Sequence, residues 1–475
     1  MRKFSSLLFI LFLGQSLYSF NDYAVISGRV KNAQSKELSI VIYRDASSGL
    51  EFVYNAPIDP DGYFKTFVDI EFPVIGYFKI GSMASPIYLQ PNDSIFLQLD
   101  ESNFKESIRF SGNGSENLMM YTQYFRVSEN ASKAKLNQAE TKNFTDVNDE
   151  EFIHASDSFI RANTHLIDSL KNIYHPASEF YSYLKTEMYY RNAEQVVSFP
   201  VMKNYMMKLN TPPSYSKPFT DFISKQNFKD ETLSRQPDYI KFLNSTLTYF
   251  VITSLQPNEN ISYEELYVRK YTFIQQKIQS RRLQLAVMGA LISEAIEINQ
   301  ANFVQKMYDE FIKETADIVL ANALKDKMKQ VSSLAIGEKA TNFILTDING
   351  KKVSLSDFKG KLIYLDFWAT WCGPCMMEMP KSIELQKKFS GDKNIVFLFV
   401  SIDDDEKKWK QIVKERNLTG THLISPGRNS AIVKQYNVVS IPRHYIISKD
   451  GTILDANASG PSDKNTEALI RKYLN

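Results

Sequence analysis

Cysteine is nearly absent from this sequence: 475 residues contain two, Cys372 and Cys375, with only Gly373 and Pro374 between them. So sparse a supply excludes a fold stapled by many disulfides. A structural zinc site needs about four ligands. No second cysteine pair exists, and His154, His165, His175, His422 and His444 show no ligand-like spacing to the first. An excess of one charge sign is lacking too. Lys and Arg number 56 against 54 Asp and Glu, mixed along the chain, for a formal net charge of +2. That balance leaves no footprint for nucleic acid or another polyanion. Long apolar runs are missing: Leu7 to Leu13 falls well short of the ~20 residues that a membrane-spanning helix needs. No flavin or nicotinamide motif occurs, and the acidic run Asp403-Asp404-Asp405-Glu406 lacks the spacing of an EF-hand loop. It reads as a solvated helix start, with acids where the helix dipole favours them. No metal and no organic cofactor is therefore expected.

The two cysteines sit where their chemistry is favoured. Lys361-Leu362-Ile363-Tyr364-Leu365-Asp366-Phe367-Trp368 is a short apolar run of strand type, and Met376 to Met379 with Ile383 to Lys388 reads as a helix. Cys372 therefore lies near a helix N-terminus, where unpaired N–H groups and the positive dipole end favour a thiolate. Such a thiol attacks disulfides at neutral pH, and Cys375, one turn on, resolves the product. A purely structural disulfide is the competing explanation, but a loop this short constrains the unfolded chain little.

The surroundings decide between them. Asp366-Phe367-Trp368-Ala369-Thr370-Trp371-Cys372-Gly373-Pro374-Cys375, then Pro380, then Ser440-Ile441-Pro442 ahead of Tyr445-Ile446-Ile447, and finally Lys449-Asp450-Gly451, follow one another in order. In that order they resemble the thioredoxin superfamily, most closely the exported TlpA/ResA-like thiol-disulfide oxidoreductases, from about Ile336 to the C-terminus. The resemblance implies that Pro380 kinks the active-site helix and that Ile441-Pro442 is a cis peptide facing the cysteines. Cys372 is then the attacking thiol and Cys375 the resolving one. Trp371, Gly373, Pro374 and Ile441 form the surface a substrate meets. Asp366 matches the buried acid of thioredoxins and Glu378 an acid that ResA-like proteins carry beside the pair. ResA-like sequences usually lack an acid at the first of these positions, so this chain carries both. A buried carboxylate can exchange a proton with Cys375. An acid inside an apolar strand is the harder of the two to explain structurally, so Asp366 is weighed above Glu378.

The remainder reads as further segments. Met1-Arg2-Lys3, the apolar run to Leu13 and the small residues Ser16 and Ser19 have the form of a cleaved secretory signal over 1–19. Residues 20–112 hold short β-type runs with turns such as Asp59-Pro60-Asp61-Gly62, as in a small all-β sandwich. It resembles the β-rich domain that often precedes a thioredoxin domain in exported proteins. Ser111 to Ser115 marks a break, and 113–333 is helical, with Leu285, Met288, Ile292, Ala295 and Ile296 on one face. Asn130 to Glu150 is polar and reads as a loop. Met202, Met206 and Met207 read as partly exposed or core-filling residues rather than as ligands. Residues 334–475 form an α/β thioredoxin fold, opened by a hairpin around Ile348-Asn349-Gly350-Lys351.

The expected function is thiol-disulfide exchange in the periplasm, with protein disulfides as substrates and a membrane-bound thiol reductant as electron source. Cytochrome c maturation is the setting that the resemblance implies. Two other functions compete. A thiol peroxidase shares this fold, but its signature threonine, three residues before the reactive cysteine, is Ala369 here. A partner-binding module with an accessory thioredoxin domain is the other, since most of the chain lies upstream.

Overall fold

The computed structural model describes residues 23–43, 51–138, 146–207, 213–256, 259 and 261–474, so the expected signal segment lies outside the described residues. The described parts of 23–43, 51–138 and 157–188 form one compact unit, and those of 146–156 and 189–474 a second.

The first unit is built on strands β1 (Tyr23–Lys31), β2 (Glu37–Tyr43), β3 (Glu51–Pro57), β4 (Tyr63–Asp69), β5 (Val74–Ile80), β6 (Met83–Leu89), β7 (Ser94–Asp100) and β8 (Arg109–Asn113). They form two four-stranded sheets, β4-β1-β7-β8 and β3-β2-β5-β6, which is the expected β-sandwich. Alternation makes the core: in β1, Ala24, Ile26 and Val30 are buried while Tyr23 and Lys31 face water. The pairing of β1 with β7 is parallel, and a Cβ on Gly28 would lie 1.9 Å from the Leu97 carbonyl oxygen, so only glycine fits there. The Asp59 to Gly62 turn carries the chain from β3 in one sheet to β4 in the other. The Asp59 carboxylate accepts from the N–H of Tyr63 at 2.7 Å, and Gly62 takes φ 86°. The helices begin with the single turn α1 (Phe104–Ser107), then α2 (Ser115–Gln138), α3 (Asp149–Tyr174) and α4 (Ser178–Met206). The loop expected from Asn130 is thus helical as far as Gln138, because nothing between Asn130 and Gln138 breaks a helix.

The second unit continues through α5 (Lys217–Ser224), α6 (Pro237–Thr253), α7 (Tyr263–Lys277), α8 (Arg281–Glu297), α9 (Gln305–Glu314) and α10 (Ile318–Ser332). Of the apolar face expected on α8, Met288, Ile292, Ala295 and Ile296 are buried and Leu285 half-buried, and Pro237 opens α6 at a first-turn position, where its missing N–H costs nothing. Met202, Met206 and Met207 are about half exposed, so they fill no core.

The C-terminal part consists of β9 (Ile344–Asp347), β10 (Lys352–Ser354), β11 (Leu362–Trp368), α11 (Gly373–Lys387), β12 (Ile395–Ser401), α12 (Glu406–Glu415), β13 (Thr421–Ile424), α13 (Ala431–Gln435), β14 (Arg443–Ile447), β15 (Ile453–Asp455) and α14 (Thr466–Leu474). Its seven strands order as β10-β9-β13-β12-β11-β14-β15, with β13, β12 and β11 parallel and β14 antiparallel to β11. Every residue of β11 is buried, which is why its sequence reads as an unbroken apolar run. Paired residues share a face of a sheet and neighbours along a strand oppose each other. His422, Phe399, Asp366 and His444 therefore lie in one row on one face, and Tyr445 points to the other.

That other face is where the helical segment meets the sheet. Asn299, just beyond α8, donates its amide to the Tyr445 hydroxyl at 2.7 Å and to the Ala456 carbonyl at 3.2 Å. Asn437 donates to the Ile296 carbonyl at 2.7 Å and to Asn299 Oδ1 at 2.8 Å. Arg443 donates to the Glu297 carbonyl and, at 2.6 Å, to Asn457 Oδ1. Asn299, Asn437, Arg443 and Tyr445 are buried, where an unpaired polar group is costly. The helices and the sheet therefore share one set of obligatory hydrogen bonds.

Candidate active site

Strand β11 ends at Trp368 and a short turn brings the chain to Cys372, the N-cap residue of α11. Asp403 fixes that turn. Its carboxylate accepts from the Thr370 N–H at 2.9 Å, from the Thr370 hydroxyl at 2.7 Å and from the Ser401 hydroxyl at 2.6 Å. Asp403 thus parts company with its acidic neighbours. Asp405 caps α12 by accepting from Lys408 N–H, as the sequence implied, whereas Asp403 is buried beneath the cysteine loop.

Cys372 and Cys375 are joined as a disulfide. The Cys375 N–H donates to Cys372 Sγ at 3.1 Å, so the first turn of the helix is aimed at that sulfur. The Ile441 carbonyl oxygen lies 3.7 Å from the same sulfur, and Ile441-Pro442 is a cis peptide, as expected. Burial separates the cysteines less than expected, at 5% exposure for Cys372 and 2% for Cys375. What distinguishes them is direction, since it is Cys372 that meets the Ile441 loop. Trp371 beside it is 44% exposed, while Gly373 and Pro374 are also on the surface. Trp371, Gly373 and Pro374 thus flank Cys372 along the chain, and Ile441 meets its sulfur.

The two acids take different surroundings. Asp366 is buried, and His444 Nε2 approaches its Oδ1 to 3.4 Å without the alignment of a hydrogen bond. Glu378 is half-buried and tied elsewhere: its carboxylate accepts from the Ser462 N–H at 2.8 Å and from the Ser462 hydroxyl. A Cβ on Gly460 would lie 3.3 Å from both Glu378 Oε2 and His444 Cε1, so glycine there lets these groups approach. The Tyr364 hydroxyl donates to the Ser459 carbonyl at 2.7 Å. Burial, reinforced by the Asp366 and Glu378 charges, pushes that phenol well above its ordinary range, so it stays neutral. His444 was not singled out as a functional residue from sequence. Its only signal was its position two residues after Pro442, in register with an acid that cannot be read from the chain alone.

His422 lies at the far end of the same row, stacked on Phe399 with ring centroids 4.7 Å apart. Its Nε2 meets the Thr419 carbonyl at 3.0 Å and its Nδ1 has no partner, so the neutral ring donates from Nε2. Burial pulls its pKa from 6.5 to about 4. Between those values the unfolded chain binds a proton that the folded one refuses. The stabilisation is therefore complete above pH 6.5 and is lost as pH falls towards 4, to a total of roughly 3 kcal/mol. All three tryptophans, Trp368, Trp371 and Trp409, lie in this domain, so their fluorescence during urea unfolding reports on it. The midpoint should fall between pH 7 and pH 4.5 in the natural chain, and His422→Phe should flatten that fall. An equal fall in both would rule out His422 as its source.

Comparison with known proteins places this geometry. The Redoxin family model matches residues 335–470. The thiol-disulfide oxidoreductase ResA of Bacillus thuringiensis subsp. konkukian is 35% identical over 139 residues, 29% of this chain and 79% of that protein. The thioredoxin-like protein YneN of Bacillus subtilis is 35% identical over 150 residues, 31% of this chain and 86% of that one. A crystal structure from Bacteroides vulgatus, of a chain described as a thiol-disulfide oxidoreductase, is 40% identical. It covers 30% of this chain and 99% of its own, with a TM-score of 0.28. A disulfide capping a helix, a cis-proline loop against it and a ResA-like sequence throughout the domain converge: the chain belongs, through its C-terminal domain, to the ResA-like thiol-disulfide oxidoreductases of the thioredoxin superfamily.

Proposed function

We propose that the chain is exported and reduces protein disulfides in the periplasm by dithiol exchange through Cys372 and Cys375. The observation that carries this reading is the position of Cys372 Sγ between the first turn of α11 and the Ile441 carbonyl. In the reduced state the Cys372 thiolate accepts from the Cys375 N–H and attacks one sulfur of a substrate disulfide. The substrate S–S bond breaks, a mixed disulfide forms, and the departing substrate sulfur takes a proton from water. Cys375 then gives its proton to a base, for which buried Asp366 is the candidate, and attacks Cys372 Sγ. The second substrate thiolate leaves, and two electrons have passed from the dithiol to the substrate. His444 lies beside that carboxylate, 3.4 Å from its Oδ1, and Glu378, held by Ser462, is the second candidate base.

No further cofactor enters this scheme; the disulfide is the redox group. A membrane-bound thiol reductant returns the two electrons outside the cytoplasm. Export is supported by Arg2-Lys3 and the apolar run to Leu13. Among the described residues no helix is long and apolar enough to cross a membrane. Reduction of the haem-attachment thiols of c-type cytochromes is the narrower form of the reading, supported by the resemblance to ResA.

The direction of exchange is testable. Gly-Pro between the cysteines matches thioredoxin, whose potential is about −270 mV, rather than the oxidants near about −120 mV. Equilibration of the purified chain with glutathione buffers, read by thiol alkylation, should give a midpoint near the former. A midpoint near the latter would make the protein an oxidant and overturn the reductive reading.

A further inference from the structure

We propose that Arg428 selects substrates that carry a carboxylate next to the cysteine that Cys372 attacks. This deepens the exchange reading and rests on it.

The Arg428 guanidinium lies over the Trp371 indole, 4.1 Å from the ring centroid. Stacking holds a flexible cation in one place at little further entropic cost. Trp371 is 44% exposed and immediately precedes Cys372, so the charge is fixed at the rim of the reactive sulfur. The nearby acids are engaged elsewhere or differently placed. Asp403 is occupied by Thr370 and Ser401, and Glu378 by Ser462. Asp404 lies close by, its Oδ1 within 2.1 Å of where a Cβ on Gly427 would sit, but it forms no ion pair with Arg428. Among the described residues, Arg428 is exposed and forms no ion pair.

The Ile441 loop brings backbone and apolar groups, with the exposed Ser440 between them. Ile441 presents its carbonyl to the sulfur, and Val439, two residues before it, is 54% exposed. A polypeptide that pairs with the Ile441 loop meets its apolar contacts and, over Trp371, one guanidinium. A planar fork of donors suits a carboxylate, with which it can form two parallel hydrogen bonds. A lysine or arginine at that place in the substrate meets like charge instead.

The test uses the full chain and three short peptides, each with one disulfide, that differ only in having Asp, Asn or Lys beside the attacked cysteine. The ratio of kcat/KM for the Asp and Lys peptides is internally normalised, so overall activity cancels. The natural chain should favour Asp over Lys by about three- to fivefold at low salt, as an exposed ion pair allows. The ratio should shrink towards one at 0.5 M NaCl. Arg428→Lys should keep the sign of the preference, and Arg428→Glu should invert it. A ratio that Arg428→Glu leaves unchanged overturns the proposal, as does a natural chain that prefers Lys. The same ratio can be read in the opposite direction, with dithiol peptides and the oxidised chain. A protein that proves to be an oxidant would thus defeat the reductive reading while the charge preference remained measurable.

Discussion

Cys372→Ser should leave no measurable reduction of a protein disulfide, whereas Cys375→Ser should react once and stop as a covalent complex with its substrate. The asymmetry follows from the two sulfurs' surroundings. Cys372 caps α11, receives the Cys375 N–H and meets the Ile441 loop, so a substrate sulfur can approach it in line. Cys375, 2% exposed and one turn into the helix, has no such approach except towards Cys372 itself. The measurement is rapid quenching with acid, alkylation of free thiols and separation of the adduct by mass. Loss of the attacking thiol removes the covalent route entirely, a fall of several orders of magnitude. Asp366→Asn belongs to the same experiment. It should leave the first attack close to normal and slow the second by about 10²-fold, the lower end for a lost general base. The opposite pattern, an inert Cys375→Ser with the adduct formed by Cys372→Ser, would reverse the assignment. An Asp366→Asn chain that slows only the first attack would move the proton acceptor elsewhere.

Such predictions were available from sequence wherever the chemistry is local. The strand, the cysteines and the helix start follow one another along the chain, so Cys372 as a helix cap is legible from spacing and dipole alone. The turn Lys449-Asp450-Gly451 is legible for the same reason, since a hairpin records its conformation in adjacent residues. The sandwich was legible as a class, because alternation survives in β1 and β4, but its two-sheet order was not, since no local signal encodes the parallel pairing of β1 with β7. In the site, the missing pieces are those made by register. His444 meets Asp366 only because β14 runs antiparallel to β11 with those two residues opposite. Asp403 looked like one of several helix-capping acids until the parallel sheet set the end of β12 beside the turn that follows β11. Glu378 is legible as an acid one turn beyond Cys375, but the Ser462 N–H and hydroxyl that its carboxylate accepts from come from the distant segment before α14. An acidic side chain in sequence declares its charge but not its partner.

The junction between helices and sheet makes the last prediction, and Asn299 is the residue to change. It takes φ 57°, a left-handed conformation that asparagine tolerates better than most residues, and this closes the C-terminus of α8. Its amide serves three partners at once: the Tyr445 hydroxyl, the Ala456 carbonyl and the Asn437 side chain. Asn299→Gly keeps the backbone conformation without strain and deletes only the amide. Tyr445, fully buried, then loses the donor to its oxygen, and the Asn437 amide loses one acceptor. Burial already pushes the Tyr445 phenol up to about 12, so it cannot relieve the loss by ionising. The expected cost is about 2–4 kcal/mol, one unsatisfied buried group plus the bonds themselves. Tryptophan fluorescence during urea unfolding should show it, because every tryptophan lies in the domain that Asn299 holds from outside. A fragment beginning at residue 334 already lacks Asn299, so it should unfold at lower urea than the natural chain, near or below Asn299→Gly. Equal midpoints for the natural chain, the variant and the fragment would show that the thioredoxin domain stands without its helices. A midpoint that falls in the variant and falls further in the fragment would make the helical layer part of the redox domain's own fold.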